Sequence, residues 1–157
     1  MSKVLSLMAR GALAGTAGTT ALNSAAYVDM AVRARPSSST PEQVVDTFAE
    51  KAGVRIPGDG TKRENRLAGL GPLVGIAVGT GVGAAVGALR ATGSRLPWWA
   101  EAPLAGALAM AVADLPMVAL GISDPRTWSA KDWLSDAVPH LAYGLTTTAA
   151  LPSANGH

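Results

Sequence analysis

Four long stretches of this chain carry almost no charge, and that distribution limits the folds open to it. Gly11 to Val28 holds no charged residue in 18 positions, and Leu67 to Leu89 holds none in 23. Ala102 to Ser123 holds one, Asp114, and from Ala137 to the end only His140 and His157 can take up charge near neutral pH. A helix rises about 1.5 Å per residue and the hydrocarbon core is about 30 Å thick, so about 20 residues cross it. Each stretch is near that length, which predicts spans at about 4–28, 68–90, 99–121 and 134–151. The second stretch has no polar face to turn to water, which argues against a soluble bundle. Lys3 resembles the start of a signal peptide, but Arg10 interrupts the apolar run and the stretch to Val28 is long, so a retained first helix is expected.

Composition supports the same class. Charged residues are 15% of the chain, against about 25% in a typical soluble domain. Seven aromatics beside 18 glycines leave few bulky side chains for a water-soluble core. High apolar content (48%) with a net charge of only +2 excludes a disordered chain. The absence of Cys removes disulfides, thiolate metal sites and thiol nucleophiles together. Thirteen basic residues against 11 acidic ones make no nucleic-acid footprint, and no nucleic-acid partner is expected. The predicted fold is all-α: a four-helix transmembrane bundle with two short interfacial helices, in a single integral membrane domain over 1–157.

The loops carry their own signals. Thirteen of the 24 charges lie in the polar loop 29–66. Within it, Thr40-Pro41-Glu42-Gln43 reads as an N-cap, a Pro at the first helical position and a capping Gln, starting a short helix to about Ala52. Its acidic polar face is unlike a basic lipid anchor. Arg55 to Arg66 reads as a mobile connector, given Pro57, Gly58 and Gly60. Ser129-Ala130-Lys131-Asp132 is a variant capping box, with Trp128 and Trp133 placed to form a hydrophobic staple. Trp98 and Trp99 open the third span, and Trp128 and Trp133 precede the fourth, as in an aromatic belt.

The two halves resemble each other. Leu13-Ala14-Gly15 precedes Asn23, and Leu104-Ala105-Gly106 precedes Asp114, by the same eight residues counted from the glycine. Each half then has a capped short helix leading to a helix near a proline, Pro72 or Pro139. This suggests an internal duplication of a helical hairpin, with units 4–90 and 99–151 related by an axis along the membrane normal. Nine Lys and Arg lie in loops 29–66 and 122–133, against Lys3, Arg10, Arg90 and Arg95 on the other side. The excess predicts those two loops in the cytoplasm and both termini outside.

Gly71, Gly75, Gly79, Gly83 and Gly87 recur every four residues. Small residues at this spacing let helix backbones touch, gaining van der Waals and Cα–H···O contacts. The expected partner surface is the first helix, at Gly11, Gly15, Gly18 and Ala14, although a second copy would fit as well. The same segment contains Gly79-Thr80-Gly81-Val82-Gly83-Ala84, a relaxed dinucleotide-binding pattern, with Glu101 at about the expected distance. That chemistry needs a strand–turn–helix unit and a second strand, and no strand leads to Glu101, so no cofactor is expected.

Asp114 lies mid-span, and Pro116 after it removes a backbone hydrogen bond. An ionised carboxylate at the bilayer centre costs about 2.5–3.5 kcal/mol on insertion scales, so Asp114 is expected to face partners inside the bundle. Asn23, its counterpart in the first half, is one. The others are Asp136 and His140, which share a helix face at i,i+4, with Tyr143 close by. A carboxylate beside an imidazole suits a pH-responsive group. One His and two carboxylates do not make a dense metal site, and no nucleophile elbow or catalytic triad order is present. No catalytic, metal-binding or cofactor-binding residue is assigned.

Three strings carry a family resemblance. They are Gly11-Ala12-Leu13-Ala14-Gly15-Thr16-Ala17-Gly18, Arg35-Pro36 with Thr40-Pro41-Glu42, and Asp124-Pro125-Arg126-Thr127-Trp128 followed by Trp133-Leu134-Ser135-Asp136 and Pro139-His140-Leu141-Ala142-Tyr143-Gly144. The chain resembles small uncharacterised multi-pass membrane proteins of high-GC actinobacteria, over most of its length and most specifically across 124–144. The resemblance implies a plasma-membrane location and brings no activity. The expected role is a non-enzymatic packing or accessory protein, partnered by the lipid bilayer and by a second copy or a membrane complex. The alternative is a small transporter or channel component using Asp114, His140 and Asp136. A lipid-modifying enzyme comes third, supported only by the remaining polar groups.

Overall fold

Helix starts and stops in this chain follow local capping chemistry. A computed structural model describes residues 2–93 and 96–151. Among them, all regular structure is helical: α1 (Lys3–Arg33), α2 (Thr40–Lys51), α3 (Gly60–Ala91), α4 (Trp98–Ala119) and α5 (Ala130–Ala150), with a 3₁₀ turn at Pro125–Thr127. The Ser2 hydroxyl accepts from the Leu5 N–H to open α1. Ala34 closes it in the left-handed region, φ 50°, its N–H returning to the Met30 carbonyl. The Ser129–Asp132 box opens α5 from both sides, and Trp128 packs edge-on against Trp133 with ring centroids 5.1 Å apart.

Contacts along the helices set their directions. Gly11 meets Gly83 and Gly87 while Gly15 meets Gly79 and Gly83, so α1 and α3 run antiparallel. Gly18 meets Tyr143 and Thr147, and Asp29 meets Ser135, so α5 is also antiparallel to α1. Gly106 faces His140 and Gly144 faces Ala102, which makes α4 and α5 an antiparallel pair. α2 lies over the polar start of α3, where Arg63 pairs with Asp46, one guanidinium nitrogen 2.9 Å from the carboxylate. One end of the bundle therefore gathers loops 34–59 and 120–129, and the other gathers Ser2, the α3–α4 turn and Leu151.

What fills the interior is small. Gly11, Ala14, Gly15 and Gly18 of α1 are buried, as are Gly79, Val82, Gly83, Val86 and Gly87 of α3 and Ala102, Ala105, Gly106 and Ala109 of α4. Many large aliphatic residues point outward instead: Leu13 is 74% exposed, Leu104 55% and Leu115 65%. α3 and α4 are long and apolar enough to cross a membrane, and only 28% and 22% of their most apolar windows are buried inside the bundle. α1 and α5 are less apolar, because Ser, Thr, Asn and Gly dilute them.

Several expectations need correction. The second short interfacial helix does not exist as a separate element, because the helix capped at Ser129 runs unbroken through Pro139 to Ala150. Only α2 is a short separate α-helix. Its N-cap is Ser39, with Gln43 donating to the Ser39 hydroxyl at 2.9 Å, one position before the expected Thr40. The connector is half structured: Gly60 to Arg66 already belong to α3, which lengthens that helix by two turns. α4 likewise continues through both Pro103 and Pro116. Arg95 and His157 lie outside the described residues.

Candidate functional site

The α4–α5 pair carries the ionisable groups of the apolar stretches. Asp136 and His140 are one turn apart on α5, with the Asp136 Oδ1 3.2 Å from His140 Nδ1. The same Nδ1 lies 2.9 Å from the Asp136 carbonyl oxygen. With two oxygens facing it, Nδ1 is the protonated nitrogen and donates to both. Asp114, on the neighbouring α4, lies near enough to this pair for their charges to act on its carboxyl group. Asp114 Oδ1 and Asp136 Oδ2 are buried and have no hydrogen-bond partner among the described residues. Buried polar atoms are normally paired, so these two orphaned carboxylate oxygens mark places suited to a proton or a water.

Tyr143 stands apart from that cluster. It is fully buried, and its hydroxyl donates to the Gly79 carbonyl at 2.6 Å, tying α5 to α3. Asn23 lies on α1, half-buried, and makes no side-chain hydrogen bond among the described residues; it does not bond to Asp114.

The glycines divide into three groups. Gly11, Gly15, Gly79, Gly83 and Gly87 line the α1–α3 contact. A Cβ on Gly83 would sit 2.6 Å from Gly15 Cα, and one on Gly15 2.9 Å from Gly83 Cα. Gly18 lies against Tyr143 and Thr147 of α5, and Gly71 lies against Pro41 and Glu42 of α2. Gly75 has open space where its side chain would be. The repeat of four gains about 40° per step on a helix of 3.6 residues per turn, so one ladder of five glycines turns from one neighbour to the next.

A second buried charge site was not foreseen. Arg90, at the end of α3, grips Glu101 with two parallel bonds, Nε to Oε1 and Nη2 to Oε2, each 2.7 Å. Both side chains are close to 90% buried. The same guanidinium donates to the Leu151 and Thr148 carbonyls, at 2.9 and 3.2 Å, and so satisfies the end of α5. The available signal was an Arg in the last turn of one apolar helix and a Glu in the first turn of the next, joined by a short turn.

At the opposite end, Asp29 receives Arg35 Nε at 2.6 Å and Arg33 at 3.3 Å. The Arg35 hydrogen bond first, and Arg33 second, hold its carboxyl below the usual carboxylate range despite some desolvation. Arg33 also bonds to the Ser135 hydroxyl, fastening the end of α1 to α5.

Comparison of the chain with protein-family models, curated proteins and solved structures finds no match. The functional reading therefore rests on the geometry alone.

Proposed function

We propose that this chain is a multi-pass plasma-membrane protein in which α1, α3, α4 and α5 all cross the bilayer and α2 lies at its surface. The observation that carries this reading is the inverted distribution of side-chain size and polarity. Gly, Ala, Thr147 and Tyr143 fill much of the interior, while many Leu and Val side chains, such as Leu13, Leu104, Leu115 and Val138, face outward. Soluble monomers rarely leave so continuous an apolar surface in water. In lipid, small inward residues allow the close helix approach that bilayer packing requires. The excess of Lys and Arg at the α2 end favours the cytoplasm for loops 29–66 and 122–133. Alkaline extraction of membranes is expected to leave the chain in the pellet. Recovery in the soluble fraction would overturn the reading. Since native Cys is absent, Gly60→Cys gives a clean orientation probe, and labelling only from the outside would reverse the topology.

Within that frame the main reading is a non-enzymatic packing or accessory role. Backbone-tight contacts between α1 and α3 and between α4 and α5 support it. The second reading, a small transporter or channel component, is favoured by one observation: the orphaned oxygens of Asp114 and Asp136 beside His140. Asp114→Asn separates the two. The amide keeps the shape, so folding is expected to survive. Unchanged proton or solute flux in liposomes would remove the transport reading, and lost flux in a folded protein would displace the accessory one.

A further inference from the structure

A cleft of about 430 Å³ opens between α1 and α5 at the end of the bundle that holds α2. Its size falls within the range of small-ligand pockets, about 300–1,000 Å³. Ala25 of α1 and Leu134, Val138 and Pro139 of α5 form an apolar wall. Leu134 and Val138 are more than half exposed, so the wall opens sideways, toward the surroundings of the bundle. The rim is polar, with Asp29, Arg33, Lys131 and Ser135.

The charges of that rim do not cancel. Asp29 is matched by two guanidinium groups, Arg35 and Arg33. Asp132, on the same helix as Lys131, accepts from the neutral Ser129 backbone at 2.9 Å and hydroxyl at 2.6 Å, and its negative charge also acts on Arg33. Lys131 makes no ion pair among the described residues. With Arg33, Arg35 and Lys131 against Asp29 and Asp132, the rim keeps one net positive charge above an apolar groove.

We propose that this cleft binds one anionic phospholipid of the surrounding leaflet, its phosphate at Lys131 and Arg33 and an acyl chain along Leu134 and Val138. The proposal rests on the membrane reading above. Charge complementarity selects an anion, and the sideways apolar wall selects a lipid over a free phosphate, which would use the rim alone. Basic pockets between spanning helices at the cytoplasmic face are suited to anionic head groups on general electrostatic grounds.

The test uses the full chain purified in a mild detergent, with native mass spectrometry against phosphatidylglycerol and phosphatidylcholine. One phosphatidylglycerol is expected to be retained in preference to phosphatidylcholine. Lys131→Gln is expected to lower that retention about fivefold, the usual effect of one basic residue near an anionic surface. Lys62→Gln, at the same end but outside the cleft, is expected to change nothing. Val138→Trp fills the groove with every charge in place, and is expected to reduce retention as well. Equal retention of the two lipids, an equal loss in Lys62→Gln, or full retention in Val138→Trp would each overturn the proposal. So would displacement of the lipid by inorganic phosphate, which would assign the rim to a soluble anion. A chain that stays with membranes on alkaline extraction yet shows no lipid preference removes this inference alone. A chain released by extraction removes the membrane reading with it.

Discussion

The two tight helix pairs of this molecule use the same packing device for different interiors. In α1–α3, Gly11, Gly15, Gly83 and Gly87 bring the two backbones into contact, and no ionisable side chain lies along the seam. In α4–α5, Gly106 and Gly144 do the same, a Cβ on Gly106 falling 2.6 Å from the His140 carbonyl. Yet this pair carries a carboxylate toward each end of α4. Glu101 is fully paired by Arg90, whereas Asp114 keeps an oxygen without a partner. The comparison separates charge that builds the bundle from charge that is left over. Glu101 closes one end by joining α3, α4 and α5, and Asp114 contributes no comparable bond.

The largest effect is expected where the paired charge is broken. Glu101→Gln leaves the Arg90 guanidinium buried without its counter-charge, a loss of about 3–5 kcal/mol in comparable buried pairs. Thermal unfolding in detergent should show a strong destabilisation. Converting both positions, with Arg90→Met and Glu101→Leu, is expected to recover much of it, because two apolar side chains leave no stranded ion. A Glu101→Gln protein as stable as the parent would show that the clamp is ornamental and erase the contrast with Asp114.

The next effect probes the seam. Gly83→Ala puts a methyl group 2.6 Å from Gly15 Cα and 2.7 Å from Gly15 N, backbone atoms that cannot rotate away. The helices must separate, at a cost of about 1–3 kcal/mol for overpacking. Gly144→Ala places its methyl 2.7 Å from Gly106 N and is expected to fall in the same range. If only the α1–α3 variant loses stability in the same unfolding assay, the two pairs do not share one device, and the resemblance between the halves weakens.

Much of this arrangement was legible in the sequence because it follows from local or periodic signals. The charge-free stretches marked the long helices, Ser129 and Asp132 marked a helix start, though of a short helix rather than of α5, and the i,i+4 spacing of Asp136 and His140 placed them together. What escaped depends on rotation and on distant pairing. The Arg90–Glu101 clamp needs the register of the α3–α4 turn and the end of α5, which no short pattern encodes. The division between Gly83 and Gly75 depends on a cumulative helical drift that a repeat of four conceals. In the sequence the polar start of α3 resembles a connector, because Pro57, Gly58 and Gly60 are breakers in isolation, whereas Arg63 pairing with Asp46 of α2 holds that turn in place.

That drift yields the smallest effect and the sharpest test of the seam. Gly75 belongs to the same ladder as Gly83 by spacing, but nothing lies within 4 Å of the side-chain position it lacks. Ala is favoured over Gly in a helix interior by about 1 kcal/mol, since it restricts the unfolded backbone and meets no steric conflict here. Gly75→Ala is therefore expected to be neutral or stabilising by up to about 1 kcal/mol, opposite in sign to Gly83→Ala. The two variants change the same atom in the same helix, two turns apart, so propensity cancels between them and the difference in unfolding temperature reports the neighbour. If Gly75→Ala destabilised as much as Gly83→Ala, a partner surface absent from the single chain would have to cover Gly75. The ladder would then serve contact between copies as well as contact within one.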